Sequence, residues 1–302
     1  VSFSHVAVIG LGLVGGSIGL AVRDEIPGVT TSGYDVDPLV RARARERKLT
    51  DTVHDDPVEA VRDADLVILC VPVGAMEESA RSIAPGLSDD CIISDVGSSK
   101  RSITNSLKRA LPSHAIIPAH PVAGTEHSGP DAGFSTLFHQ RWCIITPPED
   151  ADPEKVAELV DFWEKLGAMV ETMDADHHDR VLAVTSHIPH LIAYTIVGTA
   201  SDMEEVTRSE VIKYSAGGFR DFTRIAASDP IMWRDVFLNN KDAVLEMLDQ
   251  FLTDLALMRE AIKAGDGEMM YDTFTRTRAI RRSIVALGQD DPRPDFGRSD
   301  HN

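Results

Sequence analysis

Six residues near the start of the chain, Gly10-Leu11-Gly12-Leu13-Val14-Gly15, narrow the fold more than any other feature. They follow an apolar β-type run at residues 6–9 and precede a helix-forming run at 17–22. That order gives each glycine a task. Gly10 permits a tight turn, Gly12 lets backbone amides approach a pyrophosphate, and Gly15 lets helix and strand pack closely. Twenty residues after Gly15, Asp35 closes the next β-type run, where a carboxylate accepts both hydroxyls of an adenosine ribose. Together these features predict a dinucleotide site, against the plainer alternative of a glycine-rich turn that binds nothing. Asp35 favours NAD over NADP because it repels a 2′-phosphate. Arg41, Arg43, Arg45 and Arg47 follow shortly after; they read as a solvated helix face, with a reach toward such a phosphate left open.

The alternation continues downstream. Runs at 31–35, 66–71, 91–95, 115–119 and 142–146 read as strands with helical stretches between them, which requires crossover connections and a parallel sheet. Pro147 and Pro148 then break the chain, 153–166 reads as a helix, and 169–173 as a last strand. Beyond Thr172 nothing reads as a strand. Apolar residues from Trp233 to Ile262 recur at three-and-four spacing, predicting a long amphipathic helix over 231–262, which an interruption could divide. Gly265-Asp266-Gly267 ends it, and a further helix carries Arg276, Arg278, Arg281 and Arg282 on its polar side. The expected architecture is α/β: a Rossmann-type doubly wound parallel sheet over 1–172, an all-helical substrate and dimerisation domain over 173–288, and a mobile polar tail over 289–302.

Charge and composition remove several classes of partner. A formal net charge of −18 disfavours sustained contact with nucleic acid or an anionic membrane. The longest apolar stretch, 66–73, is far below spanning length, and β-type sequence begins at residue 6, leaving no room for a secretory leader. Cys70, Cys91 and Cys143 are odd in number and widely spaced, which suits a reducing compartment. The expected setting is the cytoplasm. The 231–262 helix carries more apolar surface than a small domain covers alone, so the chain is expected to form a homodimer through its helical part.

Three segments carry chemistry: Ser94-Asp95-Val96-Gly97-Ser98-Ser99-Lys100, His120-Pro121-Val122-Ala123-Gly124-Thr125-Glu126 and Thr185-Ser186-His187-Ile188-Pro189-His190. The first two follow strands read as members of the parallel sheet, so they fall on the crevice edge of the glycine loop. Val71 and Pro72, at the end of the 66–71 run, belong on the nicotinamide side of that crevice. Removing hydride from an alcohol carbon requires a base for the hydroxyl proton, and imidazole has the unperturbed pKa nearest neutrality. His120 is the candidate base; Ser98 is placed to bond the same hydroxyl or to orient the ring.

With Gly217-Gly218-Phe219-Arg220-Asp221-Phe222-Thr223-Arg224-Ile225-Ala226 and the segment from Ser228 to Asp235, these motifs resemble those of prephenate dehydrogenases, from the glycine loop to about Ile262. The resemblance implies oxidative decarboxylation of a cyclohexadienol ring, prephenate or its amino counterpart arogenate, with hydride passing to NAD and no metal. It implies that His120 takes the ring hydroxyl proton, that Ser98 supports His120, and that Arg224 binds a substrate carboxylate, a task suited to a planar guanidinium fork. Arg220, His187 and His190 are further substrate-site candidates, His190 ahead of His187. Thr125 and Glu126 are assigned to the pocket mouth. Trp233 is implied to reach the site from the partner subunit. Neither a chorismate-mutase-like segment nor a regulatory domain is recognisable, which implies a monofunctional form.

Other readings use the same residues. His177, His178, His187 and His190 invite a metal site, but no matching set of cysteines and carboxylates accompanies them. His178-Asp179 reads as a structural hydrogen-bonded pair, and Trp142 and Trp163 as core. A β-hydroxyacid dehydrogenase would need a catalytic lysine in the helical part, for which only Lys213 and Lys241 are near. A nonenzymatic NAD sensor would give no reason for His120, Ser98 and Arg224 to coexist.

Overall fold

A computed structural model describes residues 3–125, 127–202 and 217–286. Glu126, Lys213 and the 289–302 tail therefore lie outside the described residues. Strands β1 (His5–Ile9), β2 (Thr30–Tyr34), β3 (Thr52–Val53), β4 (Leu66–Leu69), β5 (Ile92–Asp95) and β6 (Ala115–Ile116) form one parallel sheet in the order β3-β2-β1-β4-β5-β6. All four residues of β4 are buried, as expected for a parallel strand covered on both faces. Leu66 and Ile68 join Val6, Val8, Ile18 and Ile92 on one side; Val67 and Leu69 join Ala7, Ile9, Ile93 and Met76 on the other. The strand order reverses between β1 and β4, which opens a crevice at their carboxyl ends.

Two features depart from the sequence reading. β3 is a two-residue edge strand, too short to show a period. The 115–119 run splits at Pro118, which cannot donate to a ladder. β6 stops at Ile116, and the chain passes into a second sheet in which β7 (Ala119–Pro121) runs antiparallel to β8 (Trp142–Ile145), itself parallel to β9 (Met169–Thr172). His120 thus sits inside an edge strand opposite Ile144 rather than after a strand of the parallel sheet. Trp163 is fully buried, edge-on to Phe138 and Phe162. Trp142 is 39% exposed and is not a core residue.

Helix starts follow a repeated local rule. Pro38–Arg47, Pro57–Ala60, Pro153–Lys165 and Pro230–Asn239 each begin on an Asp-Pro pair whose aspartate accepts a backbone N–H of the first turn. Proline fits there because its missing N–H would have had no helical partner. Lys100–Ala110 begins after Ser99, whose side chain makes no cap.

The helix Ala175–Leu182 continues through a π-type turn, Ala183–His187, into Ile188–Asp202. Pro189 explains the widened turn: its ring would clash with the Thr185 carbonyl in a regular α-helix. The span Ala175–Asp202 is long and apolar enough to cross a membrane by length and composition, a property the sequence reading did not pick out. It nevertheless carries buried His178, Asp179 and His187, all hydrogen-bonded inside the protein. The helix expected over 231–262 is two, Pro230–Asn239 and Lys241–Ala264, broken at Asn240. Gly265, at φ 68°, ends the second, and Gly267–Ala286 follows. By compactness the chain divides into 1–245 and 246–302, so the helices from Ala175 to Asn239 belong with the sheet.

Ile68→Ala is expected to lower the unfolding free energy by about 2–5 kcal/mol in a urea titration. Leu39→Ala, at a side chain 77% exposed, should change it by less than about 0.5 kcal/mol.

Candidate active site

The glycine loop has the shape its spacing predicts. Gly10 adopts φ +99° and donates its N–H to the Tyr34 carbonyl at 2.8 Å; a Cβ there would overlap the Cys70 carbonyl. A Cβ on Gly15 would overlap the Gly10 carbonyl. At Gly12 a Cβ would enter open space, at the N-terminus of the helix Leu13–Glu25. The loop is therefore closed where strand and helix must touch and open where a pyrophosphate would lie. Asp35 is held at the lip by the Leu11 N–H at 2.8 Å and the Asp37 N–H at 3.0 Å, one to each carboxylate oxygen. Val71 packs beside Gly10 at the end of β4, and Pro72 is exposed next to it.

Of the four downstream arginines, Arg41 lies against the lip itself, donating from Nη1 to the Asp35 carbonyl at 2.7 Å, and the other three are engaged away from Asp35. Arg41 and Arg45 pair with Asp55, and Arg43 with Glu46 and Asp131. Arg47 donates to the carbonyls of Pro130 and Gly133. The loop they hold leans on the nucleotide helix, where the Phe134 N–H donates to Ser17 Oγ at 3.1 Å. Asp35 would present its carboxylate to a ribose, with the Arg41 guanidinium beside it.

A buried polar network starts where β5 meets the helix Lys100–Ala110. Lys100 Nζ donates to Asp95 Oδ2 at 2.6 Å and to the Ala119 carbonyl at 2.5 Å, tying the end of β5 to the strand of His120. Burial raises the Asp95 carboxyl and lowers the Lys100 ammonium, each opposed by the other's charge. The helix cap that Ser99 omits comes from Asp179: its two oxygens accept the N–H groups of Lys100 at 2.7 Å and Arg101 at 3.0 Å. Asp179 Oδ1 also lies 2.8 Å from His178 Nδ1, and His178 Nε2 lies 2.9 Å from His120 Nδ1. His120 Nε2 has no hydrogen-bond partner among the described residues, and neither has the Ser98 hydroxyl. The side chain seen bonded to His120 is therefore His178.

The second branch runs through Asn240. Its side-chain amide donates to the Asp179 carbonyl at 2.8 Å and sits 3.1 Å from His187 Nδ1. His187 meets Trp233 edge-on at 6.0 Å between ring centroids, and Trp233 stacks on His190 at 3.6 Å. Within one chain, Trp233 thus stacks on His190. Arg224, at the start of the turn Arg224–Ala227, is close enough for its charge to lower the His190 pKa. Arg220 lies 3.8 Å from Asp221, exposed, and Thr125 bonds only within its loop, to His127. Lys241, the candidate base of a hydroxyacid dehydrogenase, is exposed at a helix start.

The sequence reading missed Lys100 and Asn240 and gave His178 and Asp179 only a structural part. No local pattern announces that Asp179 caps a helix begun 79 residues earlier. The visible signal was an adjacent His-Asp pair just ahead of the His187 segment.

Burial drives all four imidazoles toward the neutral form. His120 falls well below its usual value through desolvation, helped by His178, Lys100 and His187. His178 falls by desolvation against the pull of Asp179, His187 falls to about 4, and His190 is lowered by desolvation. A neutral imidazole with a free ring nitrogen, beside a dinucleotide loop, can take a proton from an alcohol while hydride leaves its carbon.

The chain is similar to known proteins along nearly its whole length. Residues 18–172 match the family model described as the prephenate dehydrogenase nucleotide-binding domain, and 174–276 match the prephenate dehydrogenase dimerization domain. The chain belongs to the prephenate dehydrogenase family. It is 47% identical over 282 residues to the cyclohexadienyl dehydrogenase of Zymomonas mobilis, covering 93% of this chain and 96% of that one. It is 33% identical to the prephenate dehydrogenase of Bacillus subtilis, over 92% of this chain and 76% of that protein. The crystal structure of Aquifex aeolicus prephenate dehydrogenase in complex with hydroxyphenyl propionate and NAD+ superposes with a TM-score of 0.88 at 32% identity, covering 94% of this chain and 99% of that chain. Within the prephenate dehydrogenase match, Ser98 and His120 fall in the nucleotide-binding part, and His178, Asp179, His187, His190 and Trp233 in the dimerization part.

A histidine whose folded pKa is depressed stabilises the protein above its unfolded pKa, and that stability is lost as pH falls toward the folded value. For His187 the window runs from 6.5 down to about 4. His187→Gln is expected to flatten unfolding free energy against pH in that window, by up to ~1.4 kcal/mol per pH unit, as measured by urea titration.

Proposed function

We propose that this chain catalyses the NAD-dependent oxidative decarboxylation of prephenate to 4-hydroxyphenylpyruvate, a step in tyrosine biosynthesis, and the same ring reaction on arogenate to give tyrosine. The observation that carries the reading is the His120 imidazole, driven toward its neutral form with Nε2 unpartnered among the described residues, and tied through Lys100 and Asp95 to the carboxyl end of β5 beside β4. The 47% identity to a cyclohexadienyl dehydrogenase, a name that specifies the ring and not its side chain, supports acceptance of both substrates.

NAD held on the glycine loop supplies the acceptor for the hydride that leaves ring carbon C4. His120 Nε2 accepts the proton of the C4 hydroxyl as that C–H bond breaks. The ring carboxylate then departs as CO2, its bonding electrons completing the aromatic ring and leaving a phenolate oxygen. His120 returns the proton to that oxygen, so the cycle closes with no net proton released. The Ser98 hydroxyl, for which no hydrogen bond is seen among the described residues, bonds the same oxygen in this reading. Arg224 holds the side-chain carboxylate, with Arg220 as a second cation on the same segment. His190 on Trp233, and His187 behind it, form the polar wall of the pocket, with Thr125 at its mouth; Glu126, outside the described residues, is assigned there by the family resemblance alone.

The active form is a homodimer in the cytoplasm. The 246–286 segment exposes Leu252, Leu255, Ile262, Tyr271 and Phe274, a face of the kind that a second copy covers. Three unpaired thiols suit a reducing compartment.

With prephenate and NAD the protein is expected to form NADH, read at 340 nm. His120→Asn should reduce kcat by about 10²–10⁴-fold while NAD binding persists. Arg224→Ala should act mainly by raising KM for prephenate. No turnover with prephenate or arogenate would sink the assignment. Light scattering at micromolar concentration should give the mass of two chains; a single-chain mass would defeat the dimer.

A further inference from the structure

Asp179 sits at the branch of two hydrogen-bond paths, and each path ends on an imidazole of the site. Along the first, its carboxylate faces His178 Nδ1 at 2.8 Å, and His178 Nε2 faces His120 Nδ1 at 2.9 Å. Along the second, its backbone carbonyl accepts one Asn240 amide hydrogen at 2.8 Å, and the other amide hydrogen points at His187 Nδ1, 3.1 Å away. We propose that Asp179, through His178 and Asn240 as positioning residues, locks His120 and His187 in opposite tautomers: His120 presents a bare Nε2 to the reacting hydroxyl, and His187 presents an Nε2–H donor to the pocket.

The proton count leaves little freedom. An ionised carboxylate accepts only, and Asp179 already takes two backbone N–H groups, so His178 Nδ1 must carry its proton. A neutral His178 then has a lone pair at Nε2, and His120 must donate from Nδ1, which leaves its own Nε2 unprotonated. On the other path the Asp179 carbonyl can only accept, which fixes the Asn240 nitrogen as the donor to both partners. His187 Nδ1 is then the acceptor, and its Nε2 carries the hydrogen. That Nε2, like the Trp233 Nε1, is buried without a partner among the described residues, which leaves two donors for a substrate oxygen or a bridging water. Burial of His178 and the nearby Lys100 charge oppose the doubly protonated form that would reverse the order along the first path.

This inference rests on the reading of His120 as the base, but the state it describes is observable without turnover. Nitrogen-15 spectra of histidine-labelled protein at pH 7.5, assigned by single His→Gln variants, should show His120 and His178 protonated at Nδ1 and His187 protonated at Nε2. His120 protonated at Nε2 in the unmodified protein would overturn the proposal whatever the activity; absence of prephenate turnover with these tautomers intact would instead strike at the function. In His178→Phe, kcat should fall by about 10–100-fold with KM for prephenate within about threefold, and the His120 signals should lose their Nδ1–H character. His178→Gln, whose amide oxygen can accept from His120, should recover about tenfold of that loss. Unchanged kcat in His178→Phe, or a fall with the His120 tautomer unaltered, would reduce His178 to packing. If His178→Phe does not fold, the spectrum of the unmodified protein and the kcat of His178→Gln decide the matter.

Discussion

A buried carboxylate has to be met by donors, and the donors that meet Asp179 come from three stretches of chain. The backbone of Lys100 and Arg101 supplies two, the adjacent His178 ring a third, and Asn240 binds its carbonyl. Because Ser99 makes no cap, the helix Lys100–Ala110 depends on Asp179 for its N-terminal N–H groups. The charge is also favourably placed at the positive end of the helix dipole. The same contact fixes where Ala175–Leu182 sits against the sheet domain. An aspartate in that position therefore performs two tasks that usually fall to separate residues: it docks one element on another and orients the rings that do chemistry.

The glycine loop imposes the complementary constraint. β1 and β4 part at the reversal in strand order, and every residue proposed to touch cofactor lies within a short reach of that point. Lys100 then links the sheet to the imidazoles. Its ammonium bridges Asp95 at the end of β5 and the Ala119 carbonyl in β7, so His120 is held relative to the parallel sheet although its own strand belongs to another. A buried ion pair of this kind is weak evidence for stability, since desolvation opposes the attraction. Its value here is register: a slip of one residue in β7 would turn His120 to the opposite face.

Periodicity and turn chemistry made most of the architecture legible. The alternation of β-type and helical runs, the Gly10–Gly15 fingerprint with Asp35, and the apolar spacing after Trp233 depend on neighbours a few residues apart, which is the range over which sequence patterns speak. The misplaced elements depended on distant partners. β7 and β8 pair across residues 119–145, and Pro118, visible in the sequence, decides the break only because the strand it leaves has a second sheet to enter. The π-type turn before Pro189 could have been anticipated, because the proline clash is local. At the site, residue types pointed to His120 as the candidate base, and the family resemblance pointed to Ser98 and His190. They could not show that His178 bonds His120, since that depends on a contact 58 residues away in the chain.

Charge poses a last question, because a chain of net charge −18 is proposed to bind a dianionic ring acid and an anionic dinucleotide. The sum misleads at this range. At physiological ionic strength, exposed charges more than about 8 Å apart are largely screened, so binding is decided by what lies within one Debye length of the crevice. There the open N-terminus of the helix Leu13–Glu25 offers amide hydrogens, and Arg224 is the cation proposed to meet the substrate carboxylate. The buried carboxylates of the network that holds His120 are each met by donors: Asp95 by Lys100, Asp179 by two backbone N–H groups and His178. The four imidazoles, kept neutral by burial, add no positive charge of their own. Such a pocket can let the ring carboxylate leave as uncharged CO2 without breaking an ion pair at the reacting end, while the side chain stays anchored at the other.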